Sequence, residues 1–206
     1  MATKTPKKTK KLTKLQKARR EIARRNKLFA AADAAEKRVL IAKDVIAQIK
    51  NGNFKAAGGT WVRPMTARHL GNLSVEFGAD ASLRELVLTD KLGKCDCCAL
   101  GAMFMSCTLY NNKTTAEDFE QEVNDGAFDF LVEDKGSISN GLNTFFSPAQ
   151  LRLIEMYFER GYGAWSPRSD AETARVELWY ETYSTDRSRL LAIMQNIVDN
   201  NGTFKP

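Results

Sequence analysis

The segment from Cys98 to Tyr110 constrains this chain more than any other. It turns from the polar loop Lys94-Cys95-Asp96-Cys97 into the most apolar helix-forming run of the sequence. Leu100, Met103, Phe104, Cys107 and Leu109 make its apolar face, and Gly101 lets another backbone come close. Such a helix needs cover from the rest of the chain. The sequence therefore predicts a mainly α, compact multi-helix domain with at most short β segments.

Charge divides the chain in two. Of 206 residues, the first 28 hold twelve Lys or Arg and a single acid, Glu21. The overall net charge of +6 thus combines a strongly basic start with a mildly acidic body. We place a basic, partly disordered and partly helical extension over residues 1–37 and one helical globular domain over 38–206. The apolar content of 43% is ordinary for a globular protein, and no apolar run has the length of a membrane span. No apolar region follows the N-terminal charges, so a secretory signal is not expected. Four cysteines clustered within thirteen positions do not resemble a disulfide framework, which suggests a reducing setting.

Helix signals recur along the chain. A basic helix is expected from about Thr13 to Ala35, continuous with the next or kinked into it, and its apolar stripe is thin. A stronger helix covers Val39 to Ile49 and stops at Asn51-Gly52. Phe54 to Val62 reads as a turn and a short extended segment, and Pro64 argues against a long central strand. Ser82 to Glu85 fits a capping box for a helix through Leu88, while Leu86 to Thr89 also fits a strand. Thr114 with Glu117 opens a helix to about Val123. Phe128 to Val132 is an apolar run before a polar loop to Asn143. Ser147-Pro148-Ala149-Gln150 is the clearest helix start, and that helix stops at Gly161. Two more helices begin at Ser169 and Thr185. The phrase Asn-Gly-x-Phe-Lys occurs at Asn51 and again at Asn201, each time after an amphipathic helix. It reads as a helix stop with a Phe tucked back onto the last turn.

Chemistry-bearing patterns are few. Cys95, Cys97, Cys98 and the single histidine, His69, are the candidate zinc ligands, but the C-x-C-C-x8-C spacing lacks two separated ligand pairs. Cys98 and Cys107 on one helix would lie about 13 Å apart, too far to share a metal. Small core residues are the competing reading. A Cys-His nucleophile would need His69 as its base, and no further triad signature surrounds it. No phosphate-binding glycine loop is present. The expectation is no catalytic residues, no cofactor and no enzyme activity.

The basic extension points to a partner. Lys7, Lys8, Lys10, Lys11, Lys14, Lys17, Arg19, Arg20, Arg24, Arg25 and Lys27 are the candidate nucleic-acid-binding residues. They suit phosphate contact, since no aromatic is interleaved before Phe29. The alternatives are an acidic protein surface, with a virion-structural or interaction role, and a small regulator of a host enzyme. The weak apolar face disfavours a membrane partner.

An amphipathic helix, then Gly59-x-Trp61, then Cys98-Ala99-Leu100-Gly101-Ala102 opening a helix resembles a module of uncharacterised bacteriophage and mobile-element proteins. The resemblance spans about residues 39–109. It implies a phage or plasmid context, in a bacterial cytoplasm or a virion, and makes Trp61 and the Cys98 helix structural partners. It carries no catalytic residues.

Overall fold

A computed structural model describes residues 13–64, 73–89, 91–111, 114–124, 142–160 and 169–206. Thr13 caps α1 (Lys14–Ala31) through a reciprocal pair of hydrogen bonds with Gln16. The backbone is extended at Ala32 and Asp33, and Asp33 with Glu36 repeats the same cap on α2 (Ala34–Lys50). The basic helix is therefore separate from its successor, because a second cap intervenes.

The remaining elements are β1 (Phe54–Ala56), β2 (Val62–Pro64), α3 (Leu73–Phe77), α4 (Leu83–Leu88), β3 (Cys95–Cys97), α5 (Ala99–Asn111), α6 (Ala116–Asn124), α7 (Pro148–Glu159), α8 (Asp170–Thr182) and α9 (Asp186–Asp199). The fold is mainly α with a small sheet, as the sequence predicts. The helical reading of Leu83–Leu88 holds, though Ser82 makes no side-chain cap hydrogen bond. The apolar run at 128–132, most of the loop after it and the stop expected at Gly161 lie outside the described residues. Arg160, just before Gly161, takes the left-handed conformation that ends α7.

The polar loop expected at residues 94–97 differs from the structure. β3 is the central strand, parallel to β1 and antiparallel to β2, and Cys95, Asp96 and Cys97 are all buried. Three residues are too short for a visible alternation, and Asp96 looks like a loop residue in one dimension. Its carboxylate is held by Arg63 at 2.6 Å and lies 3.7 Å from the Lys55 ammonium. Pro64 ends the edge strand β2, where a missing N–H costs little.

Helix α5 is the hub. Leu100, Ala102, Met103, Phe104 and Met105 are fully buried, and α1, α2, α4 and α7 all contact the helix. Trp61 stacks on Phe104 at 5.9 Å between ring centres. The most extensive helix pairing joins α2 and α9, the two helices that precede the repeated Asn-Gly-x-Phe-Lys phrase. Gly52 and Gly202 both have positive φ, and Phe54 and Phe204 are both buried, as that reading of a helix stop expects.

One expectation needs revision. The sequence places a basic extension over residues 1–37, outside the globular domain at 38–206. Instead the last turns of α1 pack on the body. Phe29 is buried, stacked on Tyr110 of α5 and edge-on to Phe145. Arg25 reaches the buried Asp44 carboxylate of α2 and sits over the Tyr110 ring. A thin stripe is enough when its single aromatic packs against two aromatic rings of the body, Tyr110 and Phe145.

Candidate functional site

The burial of α1 sorts its cations into two faces. Ile22, Arg25, Asn26 and Phe29 turn inward to varying degrees, while Lys17, Arg20, Arg24 and Lys27 are exposed. Those four recur at intervals of three, four and three residues, which aligns them on one outward face. At 1.5 Å per residue the row is about 15 Å long. Glu21 engages Arg24 at 2.7 Å and Arg25 at 2.8 Å, and the Arg24 hydrogen bond in particular holds its carboxyl down to about 2. Arg19 lies off the row, 3.6 Å from Glu85 in an exposed pair of little energetic weight. Among the described residues, Lys17, Arg20 and Lys27 show no ion pair.

Arg25 differs from the role the sequence suggests for it. Its side chain is 17% exposed and its guanidinium is committed to Glu21 and Asp44, so it anchors α1 and does not face a partner. Lys14 opens α1, and its side chain is not among those described. Lys7, Lys8, Lys10, Lys11 and His69 lie outside the described residues.

The cysteines separate into different surroundings. Cys95 and Cys97 sit on β3, with Cys97 Sγ 4.0 Å from the Lys55 and Cys95 carbonyls. Cys107 is buried along α5. Burial pushes the Cys95 thiol up to about 12 and raises those of Cys97, Cys98 and Cys107 as well. Such thiols are poor nucleophiles.

Cys98 faces a different group. Its Sγ and one carboxylate oxygen each from Glu155 and Glu159 lie within 4.8 Å of one another. Three elements build the arrangement. Cys98 stands just before α5, where its N–H is held by the carbonyls of Thr60 and Trp61 and its Sγ accepts the Gly101 N–H at 3.4 Å. Glu155 and Glu159, four residues apart on α7, present both carboxylates on one face. The loop between β1 and β2 closes over them. Gly59 N–H donates to both Glu159 oxygens at 2.9 and 3.0 Å, and Gly58 N–H donates to Asp186 Oδ2 at 2.9 Å. Glu155 is 8% exposed, and its Oε2 is buried without a hydrogen-bond partner. Burial first, and the neighbouring Glu159 charge second, push its carboxyl up to about 8. Burial also raises Glu159, opposed by the Gly59 N–H.

Glu155 and Glu159 escape notice in the sequence, although a signal is present. Leu151, Ile154, Glu155 and Phe158 occupy the positions of one apolar stripe, so a carboxylate stands where the pattern asks for a hydrophobic side chain. No family model, curated protein or solved structure matches this chain.

Proposed function

We propose that this protein is a non-enzymatic, nucleic-acid-associated accessory protein that holds phosphate along the outward face of α1. The observation that carries this reading is the exposed row Lys17, Arg20, Arg24 and Lys27, set opposite the face that Phe29 and Arg25 dock onto the body. Docking fixes the direction of the row, so less ordering entropy is lost on binding than for a free tail. Lysine and arginine without interleaved aromatics suit backbone contact, which is indifferent to base sequence. The G-x-W and C-A-L-G-A resemblance supports a phage or mobile-element origin, with action in the bacterial cytoplasm or a virion. No helix among the described residues is long and apolar enough to cross a membrane.

The test is binding of the full chain to random duplex and single-stranded DNA and RNA across a salt series. Affinity should fall linearly in a log–log plot, with a slope of about 0.9 per phosphate neutralised on duplex DNA. Reversing Lys17, Arg20 and Lys27 to Glu should weaken binding to all sequences alike and flatten the slope. Arg25 is left intact in this variant, since its loss would disturb the body. Absence of binding at low salt overturns the proposal and leaves an acidic protein surface as the better partner.

A further inference from the structure

Four acidic or acid-capable groups converge where α5, α7, α9 and the β1–β2 loop meet: Cys98, Glu155, Glu159 and Asp186. The charge facing them is one-sided among the described residues. Arg189 acts on Glu159 but hydrogen-bonds Asp186, and no cation acts on Glu155. Two carboxylates four residues apart repel each other on a helix, and burial makes the repulsion worse. Cys98 and the Leu100 N–H hydrogen-bond the Glu155 carboxyl, yet its Oε2 has no hydrogen-bond partner, which is rare for a buried polar atom. A packed core would gain by replacing Glu155 with an apolar residue. Its presence asks for a partner for that buried oxygen.

We propose that Cys98, Glu155 and Glu159 form a binding site for a zinc ion. The donor set selects the metal. A thiolate disfavours magnesium and calcium, which take oxygen ligands, whereas zinc accepts sulfur and carboxylate oxygen together. Three protein groups leave one of its four positions for water or another ligand. Supporting contacts of the kind that orient metal ligands are already in place. The Gly59 N–H fixes the Glu159 carboxylate, and the Gly101 N–H points at the Cys98 sulfur at the start of α5. Glu159 is only partly buried and Gly58 and Gly59 are exposed, so an ion reaches the cluster from that side. Binding releases the Cys98 proton, and the Glu155 proton where one is held, to solvent. Cys95, Cys97 and Cys107 take no part. A bound ion would tie α5 to α7 beneath the β1–β2 loop.

The experiment is titration of the tag-free full chain, in a reducing buffer without chelator, with zinc and with cobalt(II) as a spectroscopic probe. The expected result is one equivalent bound, with a thiolate-to-cobalt charge-transfer band in the near ultraviolet. That band should vanish in Cys98→Ser and persist in a variant carrying Cys95→Ser, Cys97→Ser and Cys107→Ser. Glu155→Gln and Glu159→Gln should each weaken zinc by roughly 100-fold or more, beyond the 10–100-fold typical of outer-shell changes. Glu155→Gln keeps the shape of the side chain and is expected to stay folded, so the test stands even if Cys98→Ser does not fold. X-ray absorption at the zinc edge should show one sulfur among oxygen ligands. No binding at a few equivalents, a band that survives Cys98→Ser, zinc affinity unchanged in Glu155→Gln, or two sulfurs around zinc would each overturn the proposal.

Discussion

A Cβ placed on Gly101 would lie 1.8 Å from the carbonyl oxygen of Trp61. No atom can sit there, so α5 and the segment leading into β2 touch backbone to backbone. The contact joins the hub helix to the loop that covers the thiol–carboxylate cluster.

Gly101→Ala should therefore be among the most damaging substitutions in the protein. The obstacle is main chain and cannot rotate away, so the expected loss is about 3 kcal/mol or more. Gly52→Ala offers a control. Its added Cβ meets nothing, and only the positive φ opposes it, at a cost of about 1–2 kcal/mol. Urea unfolding of the two variants should rank them in that order, and equal midpoints would remove the close approach from the account.

The docking of α1 makes a second prediction. Phe29→Ala should cost about 3–5 kcal/mol, the usual range for a buried Phe. Asp44→Ala should cost about 1–3 kcal/mol, because it removes the ion pair that ties α1 to α2 and leaves Arg25 with Glu21 alone. Deleting residues 1–30 should lower the thermal midpoint clearly. An unchanged midpoint would mean that α1 does not dock in solution.

Stability should fall at both ends of the pH scale. Glu155 holds its proton up to about 8 in the fold, against an ordinary value near 4.5. The folded chain then binds more protons than the unfolded chain between those limits, so this group's contribution is full below about 4.5 and is lost as pH rises through 8. Burial and the Glu159 charge on α7 raise the Glu155 carboxyl, and hydrogen bonds from the Cys98 side chain and the Leu100 N–H oppose the rise; Asp186 and Arg189 of α9 act on Glu159. Glu21 acts in the opposite sense. Its carboxyl is lowered to about 2, mainly by the Arg24 hydrogen bond, so its contribution is present above 4.5 and fades as pH falls toward 2. Chemical unfolding across pH should show less decline on the alkaline side in metal-free Glu155→Gln. An identical alkaline limb in the variant would refute the assignment to Glu155.

The four thiols should be silent toward a bulky disulfide reagent at neutral pH in the folded protein, and all four should react in denaturant. Each is buried, and burial raises each thiol above its ordinary value. One fast-reacting cysteine in the native chain would contradict the packing around β3 and α5.

Much of the fold is legible before any coordinate is seen. Ser147-Pro148 and Thr185-Asp186 mark helix starts because capping is a local transaction between a side chain and the next turn, whereas the start at Asp33 falls within a stretch that reads as one helix. The strand β3 is not legible, because three residues hold their place only through Phe54–Ala56 and Val62–Pro64. The metal candidate is half legible. Cys98 stands out in the sequence, and Glu155 is hidden within an apolar stripe 57 positions later.

By itself the sequence determined the helical class, most helix boundaries, the charge split and the need for a small residue at Gly101. Those follow from periodicity, caps and composition, which act over a few residues. Only the tertiary structure decided that Arg25 turns inward while Lys17, Arg20 and Lys27 turn outward. Only it separated Cys98 from Cys95 and Cys97 and set it against Glu155 and Glu159. The reason is the same in both cases. A charge or a thiol takes its role from the groups that surround it, and here those groups come from distant parts of the chain.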